Sequence, residues 1–259
     1  MNIHIIGGGN LGVSIAIGIS KFTKNNSVTI TRRNTESIEY LEKDKVNVSR
    51  SNTKNIENAD LVILTIKPYQ VDLVLEEILP FLNNKTTIAS AVSGLSIDEL
   101  QLKCGSKHAI IHIMPNIAIR FGQSATCISF EENDKTEAKS VIGLFKELGT
   151  VSIIDEKLMD AATVLGACGT AYALRYIRAS MQAGIEIGFD AATALSIASQ
   201  TAKGAATMAL EEKTHPEQLI DRVTTPQGCT IVGLNEMEHE GFSSSLIKGI
   251  KTSLKKIKG

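Results

Sequence analysis

Residues 7–12 read Gly-Gly-Gly-Asn-Leu-Gly, and an apolar run from Met1 to Ile6 leads straight into them. An amphipathic stretch, Val13 to Phe22, follows at once. Strand, glycine turn and helix in that order form the opening βα unit of an α/β sheet. The GxGxxG spacing gives each glycine a task. Gly7 permits the tight turn, Gly9 lets backbone N–H groups approach a phosphate, and Gly12 lets the helix lie close on the strand. Gly8, Asn10 and Leu11 complete the loop, and the helix N-terminus faces the anion. The segment reads as a site for the pyrophosphate of a dinucleotide.

The rest of the first half alternates in the same way. Strands are expected at Val28–Thr31, Leu61–Ile66, Thr86–Val92, Ala109–Ile113, Ala125–Ser129 and Val151–Ile154. Helices are expected at Tyr69–Leu82, Ile97–Leu102 and Thr136–Leu148. "LVILTI" is continuously apolar, as a parallel strand covered on both faces must be. After Asp155 strand signals vanish. Lys157–Ile187 reads as one long helix ended by Gly188, and Asp190 caps a second that runs to about Glu212. Thr214 with Glu217 has the spacing of a capping box. Helices at Pro226–Glu240 and from Ser243 onward complete the chain. The expected architecture is a Rossmann-type doubly wound sheet over residues 1–154, followed by an all-α domain over 155–259. Small residues crowd Ala161–Ala173 and predict close helix–helix packing, as at a contact between subunits.

The nucleotide is read from the end of the second strand. NAD-specific sites place an acid there for the ribose 2′-hydroxyl. This chain has Thr31-Arg32-Arg33-Asn34 instead. Planar, permanently charged guanidinium groups suit a 2′-phosphate, so Arg32 and Arg33 favour NADPH, with NADH as the lesser possibility.

Composition narrows the partners. Net charge is -1 and aromatic content is 4 %, which gives no support for nucleic-acid binding. Leu158–Leu174 is apolar but short, and contains Asp160, so no membrane span is expected. Four widely spaced cysteines without a CxxC point to reduced thiols in the cytoplasm, and the histidines show no metal spacing. The lysines of the last helix read as a solvated face.

A second informative segment lies at Asp221–Thr230. Thr225 is placed to cap a helix, with Pro226 at its first position. Open N–H groups at such a start, with the helix dipole, suit a carboxylate. The segment "DRVTTPQGCTIVGLNEMEHEGF" resembles the signature of the pyrroline-5-carboxylate reductase family, in which a Ser/Thr-Pro-Gly-Gly-x-Thr turn opens a helix. The likeness runs the length of the chain in order. It takes in "GGGNLG", "ADLVILTIKPYQV", "SAVSGLSIDEL", "HIMPNIAIRFGQSAT", the long "DEKLMDAATVLGACGTAYALRYIRASMQAGIEIGF" and "HPEQLIDRV". There are departures. A glycine position of the signature holds Gln227, the family's Ser-Gly-Ser-Gly-Pro-Ala-Tyr reads Gly166 to Tyr172 here, and the segment after Met114-Pro115-Asn116 reads Ile117-Ala118-Ile119.

The resemblance implies reduction of a cyclic imine, 1-pyrroline-5-carboxylate, to L-proline by a nicotinamide hydride. It implies that Thr225, Gln227, Gly228, Cys229 and Thr230 hold the substrate carboxylate. Thr230 stands near the ring nitrogen as the candidate catalytic residue, and Glu156 as an acid near the substrate. It further implies Asn52, Ile66, Lys67, Ser93 and Arg222 as cofactor contacts, and a homodimer, or a higher homo-oligomer, built through the C-terminal helices. Two other readings stay open. One is a related NADP-dependent cyclic imine or 2-hydroxyacid reductase of the same plan; its hydroxyacid branch would need a lysine on the long helix, and none lies between Asp160 and Glu186. A non-catalytic NADP-sensing module would need the glycine loop but not the Thr225–Thr230 turn.

Overall fold

The computed structural model describes residues 1–258; Gly259, where the expected second domain ends, and the side chain of Lys258 lie outside that description. Eight strands form one sheet: β1 Asn2–Ile6, β2 Ser27–Thr31, β3 Val46–Ser49, β4 Leu61–Leu64, β5 Thr87–Ser90, β6 Ile110–Met114, β7 Ser124–Phe130 and β8 Gly149–Ile153. Their order is β3-β2-β1-β4-β5-β6-β7-β8. The chain winds outward from β1 in both directions, which is the doubly wound plan. All pairs from β3 to β6 are parallel. β7 is antiparallel to β6, and β8 runs parallel to β7.

Four helices belong with the sheet: α1 Asn10–Phe22, α2 Val71–Ile78, α3 Ile97–Cys104 and α4 Lys135–Lys146. The sheet separates two apolar layers. Ile3, Ile5, Ile30 and Ile63 pack towards α1 and α4, while Ile6, Val62, Leu64 and Ile88 pack towards α2 and α3. Neighbouring residues of one strand thus serve opposite cores, the reason "LVIL" is buried at every position.

The chain divides into two compact units, one of Met1–Cys168 with the chain end from Lys256, the other Gly169–Lys255. The sequence boundary at 154/155 marks where strands end. Residues 155–168 group with the first unit, because Met159 and Ala162 are buried with Met114 on β6. The second unit is entirely helical: α6 Gly169–Glu186, α7 Ala191–Glu212, α8 Pro216–Arg222, α9 Cys229–His239 and α10, which starts at Phe242 and runs to Lys258, past the unit's end. Before them stands the short α5, Met159–Ala162.

The structure revises several expected elements. β3 has no apolar run to announce it; only Val46 of its four residues is buried. The helix expected at Tyr69–Leu82 is α2 flanked by single 3₁₀ turns at Pro68–Gln70 and Leu79–Phe81, where prolines break the α pattern. The run expected as one helix from Lys157 is interrupted by a π-helical turn at Thr163–Cys168. Thr214 does not cap α8; the Nδ1 atom of His215 accepts from the Glu217 N–H instead. Asp190 does cap α7, accepting from Ala192 and Thr193. Thr225 and Pro226 lie in a turn before α9, whose N-cap is Gly228. Within the second unit the small residues serve close packing, since a Cβ on Gly184 would sit 3.0 Å from that of Ala194.

Candidate active site

The glycine loop has the backbone its spacing predicts. Gly7 sits at φ +115°, a region that L side chains rarely adopt, and a Cβ there would lie 2.6 Å from the Thr65 carbonyl oxygen. A Cβ on Gly12 would lie 2.0 Å from the Gly7 oxygen, so α1 presses directly on the turn. A Cβ on Gly9 would meet nothing within 4 Å. Gly7 and Gly12 are demanded by the protein, whereas Gly9 opens on space that a ligand can fill. Gly9 is also the N-cap of α1, with no side-chain hydrogen bond. The first N–H groups of the helix, at Asn10 and Leu11, are therefore available to an anion.

A groove of about 510 Å³ runs from this loop along the carboxyl ends of β1, β2 and β4. It brings together most of the predicted cofactor residues: Gly7, Gly8, Gly9, Arg32, Arg33, Asn52, Ile66 and Lys67. Ser93 does not line it and stands exposed in the loop after β5. Arg222 lies in the second unit, paired with Glu212. The two arginines differ in their duties. Arg32 Nη1 donates to the Gly8 carbonyl at 2.8 Å, bracing the glycine loop. Arg33 is exposed at the groove wall.

Two groove residues had no role in the sequence reading. Thr65 Oγ1 donates to the carbonyls of Gly7 and Ile6, at 2.7 and 3.2 Å, tying β4 to the turn. A hydroxyl inside an otherwise apolar strand run was the available signal. Glu77, on α2, accepts from Asn52 Nδ2 at 2.8 Å, and Asn52 Oδ1 accepts from Thr31 Oγ1 at 2.6 Å. No local pattern announces Glu77.

The predicted substrate residues separate into two places. Glu156 is in the first unit. Its Oε1 lies 2.8 Å from Nδ1 of buried His112 and accepts from the Ile97 N–H at 3.2 Å. Burial alone would push its carboxyl up; the His112 hydrogen bond and charge, with Ile97 and Ser129, outweigh burial and hold it below the ordinary value. No sequence motif gives His112 a role, although a titratable residue amid "AIIHIM" is itself a signal.

Thr225–Thr230 lie in the second unit and form a tight turn. The Gly228 N–H donates to the Thr225 oxygen at 3.0 Å, with Pro226 second and Gln227 third at φ +60°. That is the pattern of a type II turn, which favours glycine in the third place. A Cβ on Gly228 would come 2.5 Å from Thr225 Oγ1. The turn delivers Cys229 and Thr230 as the first residues of α9, both exposed, with their N–H groups unpaired within the helix. Among the described residues no group of histidine, cysteine or acidic side chains is placed to hold a metal, and no helix is long and apolar enough to cross a membrane.

Two families match separate stretches of the chain. Residues 2–94 match the family described as NADP oxidoreductase coenzyme F420-dependent, and 156–259 that of pyrroline-5-carboxylate reductase dimerisation. Pyrroline-5-carboxylate reductase 2 of Dictyostelium discoideum is 40 % identical over 98 % of this chain and 91 % of its own length.

The chain belongs to the pyrroline-5-carboxylate reductase family.

Pyrroline-5-carboxylate reductase 1 of the same organism is 42 % identical over 97 % of this chain, and the match takes in 48 % of that relative. The chain thus spans about half the length of one Dictyostelium relative and nearly all of the other. In three dimensions the pyrroline carboxylate reductase of Plasmodium falciparum, solved with NADP bound, superposes with a TM-score of 0.87. It is 26 % identical, over 100 % of this chain and 97 % of that one. The sheet unit of this reductase-family chain is a dinucleotide-binding unit of the NADP type.

Proposed function

We propose that the protein reduces the C=N bond of 1-pyrroline-5-carboxylate to give L-proline, with NADPH as the preferred reductant. The observation that carries the cofactor half is the contrast among the loop glycines: Gly7 and Gly12 are sterically required, while Gly9 faces open groove beside the α1 N-terminus. NADPH, when bound, supplies the hydride. Gly8 to Leu11 present backbone donors to its pyrophosphate, the Gly7 N–H being taken by the Thr31 carbonyl, and Arg33 meets the 2′-phosphate. Arg32 serves indirectly by bracing Gly8, and Ile66 and Lys67 line the groove beyond the loop. The Thr225–Thr230 turn supports the substrate half. Its N–H groups at the start of α9 suit the imine carboxylate, and the hydroxyl of Thr230, on the first turn of α9, hydrogen-bonds the ring nitrogen. Glu156, engaged by His112 and Ile97, holds residues 155–168 to the sheet.

The protein works as a homodimer on this reading. Within Gly169–Lys255 only Ala194, Ala198 and Leu219 are buried, while Leu174, Tyr176, Ile197, Phe242, Leu246 and Ile247 stand exposed. A helical unit with so little core of its own requires a partner surface, and the dimerisation family match covers this region. The four free cysteines fit a cytoplasmic setting.

Steady-state oxidation of NADPH and NADH with five- and six-membered cyclic imine carboxylates tests the proposal. Turnover highest with the five-membered ring and NADPH is expected. Absence of turnover across all cyclic imines would sink it.

A further inference from the structure

The end of β2 carries no acid, and the sequence motif alone therefore points to an NADPH site. The fold brings an acid to the same groove from another element. Glu77 on α2 shares the groove with Gly7, Arg32 and Arg33. Its Oε2 is fixed by Asn52, and Asn52 is fixed in turn by Thr31, the buried last residue of β2. Side chains from β2, from the loop after β3 and from α2 thus make one chain of hydrogen bonds at the end of β2. The chain also sets the Asn52 amide: its oxygen is turned to Thr31 and its nitrogen to Glu77, which leaves a second Nδ2 hydrogen for an acceptor on a ligand.

We propose that Glu77 is a specificity-determining residue for the nucleotide, a carboxylate that opposes a 2′-phosphate and accepts from a 2′-hydroxyl. It moderates the preference imposed by Arg33 and keeps the groove open to NADH. The proposal rests on reading the groove as a dinucleotide site. An acid contributed by α2 does for the ribose what the missing β2 acid does in NAD-specific folds, but in competition with Arg33 rather than alone.

The test uses the full chain and two fragments, 2′,5′-ADP and 5′-AMP, titrated calorimetrically. Wild type is compared with Glu77→Gln and Glu77→Lys. Glu77 is exposed, so both variants are expected to fold, and Gln can still accept from Asn52 while losing the charge. Preference for 2′,5′-ADP over 5′-AMP should rise about three- to tenfold in Glu77→Gln and further in Glu77→Lys, and the gain should shrink at about 0.5 M salt. An unchanged preference, or an equal change for both ligands, overturns the proposal. If wild type binds neither fragment, the dinucleotide reading itself fails and takes the proposal with it.

Discussion

Nδ1 of His112, in the middle of β6, lies 2.8 Å from Oε1 of Glu156, the residue that opens the segment after β8. The imidazole is buried and the carboxylate is 27 % exposed. An ionised carboxylate can only accept, so Nδ1 carries the hydrogen. The same oxygen takes the Ile97 N–H at the start of α3. One carboxylate therefore joins a strand, a helix N-terminus and the segment leading to α5. Replacing His112 by Leu leaves that carboxylate without its main partner. Chemical denaturation should show a loss of about 1–3 kcal/mol, and a loss under about 0.5 kcal/mol would remove the pair from the stability of the unit.

Acid should act on the same pair. The Glu156 carboxyl is held below its ordinary value of 4.5. A carboxyl depressed in the folded state contributes stability that is present above the unfolded value and is lost as pH falls through the folded one. Wild-type stability should therefore decline below about pH 4.5, and Glu156→Gln should flatten that decline. Melts from pH 6 down to pH 3 for both proteins check it; parallel curves would show that other carboxyls dominate.

Two of the loop glycines should fail in different ways. Gly12→Ala forces a Cβ to 2.0 Å from the Gly7 oxygen, so α1 must move. It should lower stability by about 2 kcal/mol or more and abolish cofactor binding. Gly9→Ala meets open space, so its melting temperature should match wild type while NADPH affinity falls at least tenfold. Thermal melts paired with calorimetric titration separate the two.

Arg32 and Arg33 should also part company. Because Arg32 braces Gly8, Arg32→Ala should weaken NADPH and NADH alike. Arg33→Ala should weaken NADPH by about tenfold and leave NADH nearly unchanged, the magnitude of one charge-assisted hydrogen-bonded contact. Dissociation constants of both nucleotides for each variant decide the point.

At the turn before α9, Gln227 holds a left-handed backbone that glycine adopts without strain. Gln227→Gly should raise stability by up to about 1 kcal/mol, offset in part by the looser unfolded chain. Thr230→Ala should lower turnover while leaving NADPH affinity intact. Unchanged turnover would remove Thr230 from the chemistry.

Much of this was legible in the primary structure where a local pattern carries it. The glycine loop, the apolar strand at Leu61 and the Asp190 cap each announce themselves within a few residues. β3 does not, because an edge strand with one buried residue needs no apolar run. Thr214 and Thr225 looked like caps by spacing, but His215 and Gly228 took those places once the backbone of each turn was fixed. The Thr31–Asn52–Glu77 chain joins positions far apart in sequence, and only the sheet order brings them together. The same holds for His112 and Glu156.

The reversal at β7 has a consequence for where the chain can go next. Asn116, just past the carboxyl end of β6, donates from Nδ2 to the Gly166 oxygen at 3.1 Å. The segment leaving β8 begins level with His112 in the middle of β6 and reaches the level of Asn116 by Gly166. Because β7 and β8 run against the other strands, β8 heads away from the rim that carries the glycine loop. Residues 154–166 therefore act as a return leg, carrying the backbone back along β6 to that rim before it leaves the first unit.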